Sequence, residues 1–387
     1  MIYRTSFLFV FVLFMNAINL CAQDVEKLHR DLIVVDGHND VLATAVMRGR
    51  DISNSLDTGH TDIPRLQKGG VDVQVFAVWS NDKKWPTGAF KHANEQIDSL
   101  ESIVARNAQR IELAKSSRDI DRIVAAGKIA ALIGVESGHM IENSIENLQT
   151  LYDRGARYLT LTWNYNLPWA TAAAVEDEKP AAAQQGLSEH GKMIVRKMNE
   201  LGMMVDLSHA SKKTFYDVMA ITSKPVLVSH SNAAALTQHF RNLDDQQLAA
   251  LVKNGGVVGV NFYSLFLDST YEDRLQALYT QQTGQAPDAK MTTRMQYNKL
   301  SKENQYLADA PLSNLLYHID YLVQKVGADH VAIGSDFDGI ESAPQGLDDV
   351  SKFPLLTKAL LERGYTPEDI AKIMGLNFLR ILRENES

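Results

Sequence analysis

Eight short apolar runs, rich in β-branched residues, recur along the chain with helix-like sequence between most of them. The runs are 32–36 (LIVVD), 71–79 (VDVQVFAVW), 129–136 (IAALIGVE), 158–163 (YLTLTW), 203–209 (MMVDLSH), 225–230 (PVLVSH), 257–263 (VVGVNFY) and 331–337 (VAIGSDF). Helical patterning fills gaps such as 91–115, 144–154, 188–201, 212–221, 244–253 and 312–326. Strands that alternate with helices pair in parallel, and eight such units predict a closed (β/α)8 TIM barrel. The runs are almost continuously apolar, as strands covered on both faces are. A barrel also accommodates 387 residues without a second domain. After the last run, Thr366-Pro367 starts a final helix whose Ile370, Ile373, Met374, Phe378, Leu379 and Leu382 form one apolar stripe.

Two gaps are long. Residues 80–128 and 264–311 are expected to elaborate the βα connections on one rim, as lids or dimer contacts, or to be mobile surface insertions. The first 22 residues differ from the rest: Arg4 precedes the apolar run Phe7–Met15, and small or polar residues follow to Ala22. This is the pattern of a cleaved export signal, and nine apolar residues are too few to span a bilayer, which takes ~20. No transmembrane helix is expected, and the product would be periplasmic or secreted. Residues 23–387 would then form a single catalytic barrel. Cys21 is the only cysteine, so no internal disulfide forms. Ile18-Asn19-Leu20 before it fits lipid anchoring poorly. A net charge of -8 excludes a nucleic-acid partner.

A barrel gathers the C-terminal ends of its strands on one rim, where its chemistry collects. Here those ends supply His38 and Asp40, then Glu136, His209, His230 and Asp336. Taken alone, Asp36-Gly37-His38-Asn39-Asp40 could be a turn. In an extended segment, however, His38 and Asp40 point to the same side and can reach one metal ion. Imidazole and carboxylate together suit zinc or a similar divalent ion. Five ligands are too many for one tetrahedral ion, so two ions sharing Glu136 are expected, with His38 and Asp40 on one and His209 and His230 on the other. Two metals ~3.5–4 Å apart can share a hydroxide nucleophile. Asp336 is then placed to take that proton and return it to a leaving group.

These residues lie in segments that resemble the membrane (renal) dipeptidase family: Asp36-Gly37-His38-Asn39-Asp40, Gly134-Val135-Glu136, Asp206-Leu207-Ser208-His209, Ser229-His230-Ser231 and Gly334-Ser335-Asp336-Phe337-Asp338-Gly339. The resemblance runs from about Leu32 to Arg383 and includes Gly256 to Tyr263 and Ser351-Lys352-Phe353-Pro354. It implies a binuclear zinc hydrolase that cleaves small dipeptides, tolerates a D-residue at the C-terminal position and forms a homodimer. It implies the same ligands, with Glu136 bridging and Asp336 handling the proton. It also places Arg241 where the family holds the substrate carboxylate, a task suited to a planar guanidinium. Asn261 and Tyr263 belong to the same pattern as substrate contacts. Tyr263 and Trp79 end their runs and are expected either to line the pocket or to pack in the core.

One position departs from the family. Where better-known members have Leu-Thr-His, this chain has Leu161-Thr162-Trp163. Tryptophan donates a hydrogen bond but cannot become cationic. Either the metals alone polarise the substrate carbonyl, or Asn164 or Asn166 helps. The rival readings are a binuclear hydrolase of N-acyl amino acids, other small amides or lactones, and a non-catalytic barrel scaffold.

Overall fold

The computed structural model describes residues 25–179 and 185–387. The expected export signal and Cys21 lie outside the described residues. Nine strands form one parallel sheet: β1 (Val35–Asp36), β2 (Val73–Trp79), β3 (Ile111–Leu113), β4 (Ile129–Glu136), β5 (Ala156–Thr160), β6 (Met204–Asp206), β7 (Leu227–Ser231), β8 (Val257–Val260) and β9 (Val331–Ile333). Eight of them run in the order β1-β2-β4-β5-β6-β7-β8-β9. The ring closes between its ends: the Gly37 N–H donates to the Ile333 carbonyl at 2.9 Å, and the Asp336 N–H to the His38 carbonyl at 3.1 Å. A parallel bridge between Asn39 and Phe337 continues that seam. The molecule is the expected (β/α)8 barrel. A Cβ on Gly37 would stand 2.9 Å from the Ile333 oxygen, so only glycine allows so close an approach.

Alternate strand residues face opposite layers. Val73, Val75, Ala130, Leu132, Met204 and Leu227 fill the barrel together with Phe378, Leu379 and Leu382 of the C-terminal helix. These are early strand residues, so that helix plugs the end remote from the rim formed by the C-terminal strand ends. Ile370, Ile373 and Met374 join the outer layer instead. The stripe divides because a five-residue π turn, Lys372–Leu376, re-aims it. Gly375 passes so close there that a Cβ would lie 2.0 Å from the Ile33 carbonyl. Among the described residues, no helix is long and apolar enough to cross a membrane.

Two expectations need correction, and one open alternative is decided. The helix expected over 91–115 spans Ala89–Arg106, and its tail turns into β3, which pairs with Ile129–Ala131. Much of 80–128 is therefore not a rim elaboration, because that pairing sits at the N-terminal end of β4. Several strands stop early, at Asp206, Val260 and Ile333, leaving their chemically interesting residues in loops. Finally, of the two alternatives for 264–311, the segment packs and lines the rim instead of lying as a surface insertion. Its helices Tyr271–Thr283, Thr293–Tyr297 and Lys302–Ala308 enclose an apolar cluster of their own around Tyr271, Leu275 and Tyr297.

Candidate metal centre and substrate cavity

Two strand residues, Glu136 of β4 and His230 of β7, meet His38, Asp40, His209 and Asp336 of the rim loops. One donor atom each from His38, Glu136 and His230 lie within 4.8 Å of one another, and likewise from His38, Asp40 and Asp336. The two groups therefore meet at His38, and His209 stands beside the first of them. The Glu136 carboxylate is directed to both sides. Its Oε2 is 3.5 Å from His38 Nε2, while its Oε1 is 3.0 Å from His209 Nε2 and 3.7 Å from His230 Nε2.

Each histidine is fixed by a neutral partner on its other nitrogen. The Tyr158 hydroxyl donates to the Gly37 carbonyl (3.2 Å), so His38 Nδ1–H donates to the Tyr158 oxygen (2.8 Å). The Ser229 hydroxyl donates to the Asp206 carboxylate (2.6 Å), so His230 Nδ1–H donates to Ser229 (2.7 Å). His209 Nδ1–H donates to Asn164 Oδ1 (2.9 Å). These hydrogen bonds place a proton on each Nδ1 and turn all three Nε2 atoms to one space. Against its burial, Tyr158 with the Asp40 and Glu136 carboxylates raises the His38 imidazole well above the usual range. His209 Nε2 and His230 Nε2 stand only 3.1 Å apart. Two lone pairs that close repel unless a cation or proton lies between them. His38 Nε2 and Asp40 Oδ1 are buried without hydrogen-bond partners, which is costly unless something else coordinates them. Burial holds His209 and His230 well below the usual imidazole range, in the neutral form that ligates. Nitrogen and carboxylate donors in this arrangement fit divalent metal ions.

The backbone at the rim is unusual. His209 (φ 65°), Asp336 (φ 61°), Asp338 (φ 66°) and Ser137 (φ 79°) all occupy the left-handed region, although none is glycine. Such conformations occur where the fold overrides local preference, and they cluster at functional sites. They also explain why β6 and β9 end before His209 and Asp336. Asp336 receives a hydrogen bond from Asn261 Nδ2 at 2.9 Å. Burial and the neighbouring Asp40 push the Asp336 carboxyl well up from its ordinary range.

The cluster opens into a cavity of about 640 Å³. Arg241, Trp163, Tyr263 and Trp79 line it; Asn261 does not. Asn261 is fully buried and reaches Asp336 instead, because its own Oδ1 accepts the Tyr263 N–H at 2.6 Å. Arg241 is buried and donates to the His230 carbonyl at 3.0 Å, while its Nε has no partner. Burial alone lowers its guanidinium to about 10, so it stays charged. Trp163 packs edge-on against Trp79 (5.1 Å) and Tyr165 (5.6 Å), forming an aromatic wall 6.3 Å from the His209 ring. Asn164 is committed to His209, and Asn166 accepts from the Ala172 N–H. Sequence reasoning missed Arg294 and Glu341, which also line the cavity and pair with each other (3.4 Å). Nothing in their local sequence marked them. Tyr158 sat in a recognised strand run, but its task depends on a partner 120 residues away.

Residues 22–387 match the family described as membrane dipeptidase, peptidase family M19. An uncharacterized dipeptidase of Schizosaccharomyces pombe is 34% identical over 386 residues, covering 95% of this chain and 84% of the relative. The probable dipeptidase PvdM from Pseudomonas aeruginosa superposes with a TM-score of 0.79 at 26% identity, covering 95% of this chain and 99% of that one. A metallopeptidase from Rhodobacter sphaeroides, solved with a phosphinate mimic of the dipeptide L-Ala-D-Ala, gives 0.74 at 26% identity, over 92% of this chain and 100% of that one. The match along nearly the whole length, on a barrel whose rim offers this donor set, means that the chain belongs to the membrane dipeptidase family, metal-dependent hydrolases acting on peptide bonds.

Proposed function

We propose that the chain hydrolyses small dipeptides with a free C-terminal carboxylate, including those with a C-terminal D-residue, using two zinc ions. The reading rests on three inward-facing Nε2 atoms disposed about a carboxylate whose two oxygens face different histidines. His38, Asp40, Glu136, His209 and His230 would hold the pair, with Glu136 between the ions. Bound there, divalent ions supply Lewis acidity that acidifies water and polarises the scissile carbonyl. Arg241 pins the substrate's terminal carboxylate by paired hydrogen bonds. Asp336, aimed by Asn261, holds a proton and delivers it to the leaving amine. The aromatic wall of Trp163 and Trp79 excludes water beside the scissile bond, where better-known relatives have histidine. Arg4 and the apolar run to Met15 support export.

Zinc analysis of the purified protein is expected to give about two ions per chain, with activity lost to chelator and restored by zinc. The zinc-loaded enzyme should cleave L-Ala-L-Ala and L-Ala-D-Ala but not N-acetyl amino acids. Deacylation without dipeptide turnover would replace this reading with the N-acyl amino acid hydrolase. Asp336→Asn should lower kcat by roughly 10²–10⁴-fold while zinc content stays unchanged; undiminished turnover would remove Asp336 from proton transfer.

A further inference from the structure

Two cations in the cavity have no assigned task. Arg48, in the short helical turn after β1, and Lys84, in the loop after β2, both line the space above the metal cluster. Both are exposed, and neither side chain has a hydrogen-bond or ion-pair partner among the described residues. The other charges lining the cavity are committed. Asp40, Glu136 and Asp336 belong to the metal cluster. Glu341 is held by Arg294 (3.4 Å) and by the Tyr263 hydroxyl. Arg241 faces the substrate's terminal carboxylate. The wall that carries Arg48 and Lys84 is completed by Thr44 and Asn81, and its only carboxylate is Asp40.

Position then decides which end of a substrate meets these cations. Around the ring, β1 and β2 lie across the barrel from β7, the strand that leads to Arg241. A dipeptide with its carboxylate on Arg241 and its scissile bond over the cluster points its N-terminal residue at the β1–β2 wall. Trp79 at the end of β2 offers an apolar surface for side-chain methylenes on the way.

We infer that Arg48 and Lys84 form a subsite for a carboxylate on the N-terminal residue, so that the preferred dipeptides begin with aspartate or glutamate. The inference rests on the dipeptidase reading above. Two exposed, unpaired cations lining the cavity suit a short flexible carboxylate, and a charge-assisted hydrogen bond discriminates it from its neutral isostere.

The test compares kcat/KM of the zinc-loaded enzyme for L-Glu-L-Ala, L-Gln-L-Ala, L-Lys-L-Ala, L-Ala-L-Glu and L-Ala-L-Ala. L-Glu-L-Ala should exceed L-Gln-L-Ala by about tenfold, and L-Lys-L-Ala by more. In the double variant Arg48→Met/Lys84→Met the Glu/Gln ratio should fall to about one, and in Arg48→Glu/Lys84→Glu the preference should turn toward L-Lys-L-Ala. Each ratio is taken within one preparation, so it does not depend on how much of a variant folds. Equal turnover of the Glu and Gln substrates overturns the subsite, as does a Glu preference that survives both double variants. A preference for L-Ala-L-Glu over L-Glu-L-Ala overturns the assignment to the N-terminal residue. If L-Ala-L-Ala and every other dipeptide resist cleavage, the dipeptidase reading itself fails, and the subsite with it.

Discussion

At Gly339 a side chain would occupy the place of two carboxylates. A Cβ built there stands 2.1 Å from Asp40 Oδ2 and 2.3 Å from Asp336 Oδ1. Neither carboxylate can yield without leaving the cluster. Gly339→Ala is therefore expected to weaken metal binding by at least about tenfold and to lower activity by roughly 10²-fold, since small misplacements are amplified in such sites. Competition against a graded series of chelators measures the first, and wild-type affinity would show that the carboxylates do relax. His209 presents the complementary case. Its Nδ1 is held by Asn164, on a backbone already in the left-handed region. Asn164→Ala should lower metal affinity about 10–100-fold, read by the same competition; an unchanged value would mean that backbone geometry suffices. The candidate ligands were legible from the sequence because each falls at or just past the end of an apolar run. Their tautomers were not, because Tyr158, Ser229 and Asn164 act through contacts that spacing does not reveal.

The elements around the cavity differ in what holds them. The 264–311 segment packs around its own aromatic cluster and sends Thr292, Thr293 and Arg294 into the cavity wall. Within it the Tyr297 hydroxyl donates to Asp309 at 2.8 Å. Burial pushes the Asp309 carboxyl up to about 7, against that hydrogen bond. A carboxyl raised by folding stabilises the fold in its protonated form. That stability is complete below about pH 4 and is lost as pH rises through about 7. Asp309→Asn should flatten this dependence and leave the variant more stable than wild type near pH 8, by roughly 1–4 kcal/mol. Urea unfolding at pH 5 and pH 8 checks it; equal slopes in the two proteins would show that Asp309 ionises freely. In the sequence this segment was only a polar gap. Its short helices bury aromatic side chains that no single amphipathic period announces.

For the whole molecule, the rim cluster joins the ends of five strands of the ring, so its occupancy couples to the stability of the barrel. Zinc at 100–1,000 times its dissociation constant should add about 2.7–4.1 kcal/mol, and chelation should lower Tm by several degrees. A Tm indifferent to chelator would argue that the cluster holds no ion in the fold. Sequence by itself determined the barrel and the six rim residues. Apolar runs alternating with helices admit one common closed arrangement, and that arrangement assigns strand ends to a single rim. Tertiary structure decided which atoms face one another. It placed Asn261 behind Asp336 rather than in the cavity, sent β3 to the far end of β4, and brought Arg294 to Glu341. It also left Arg48 and Lys84 without partners. Those outcomes depend on close approaches between segments far apart in the chain, where local periodicity carries no information and only packing chooses.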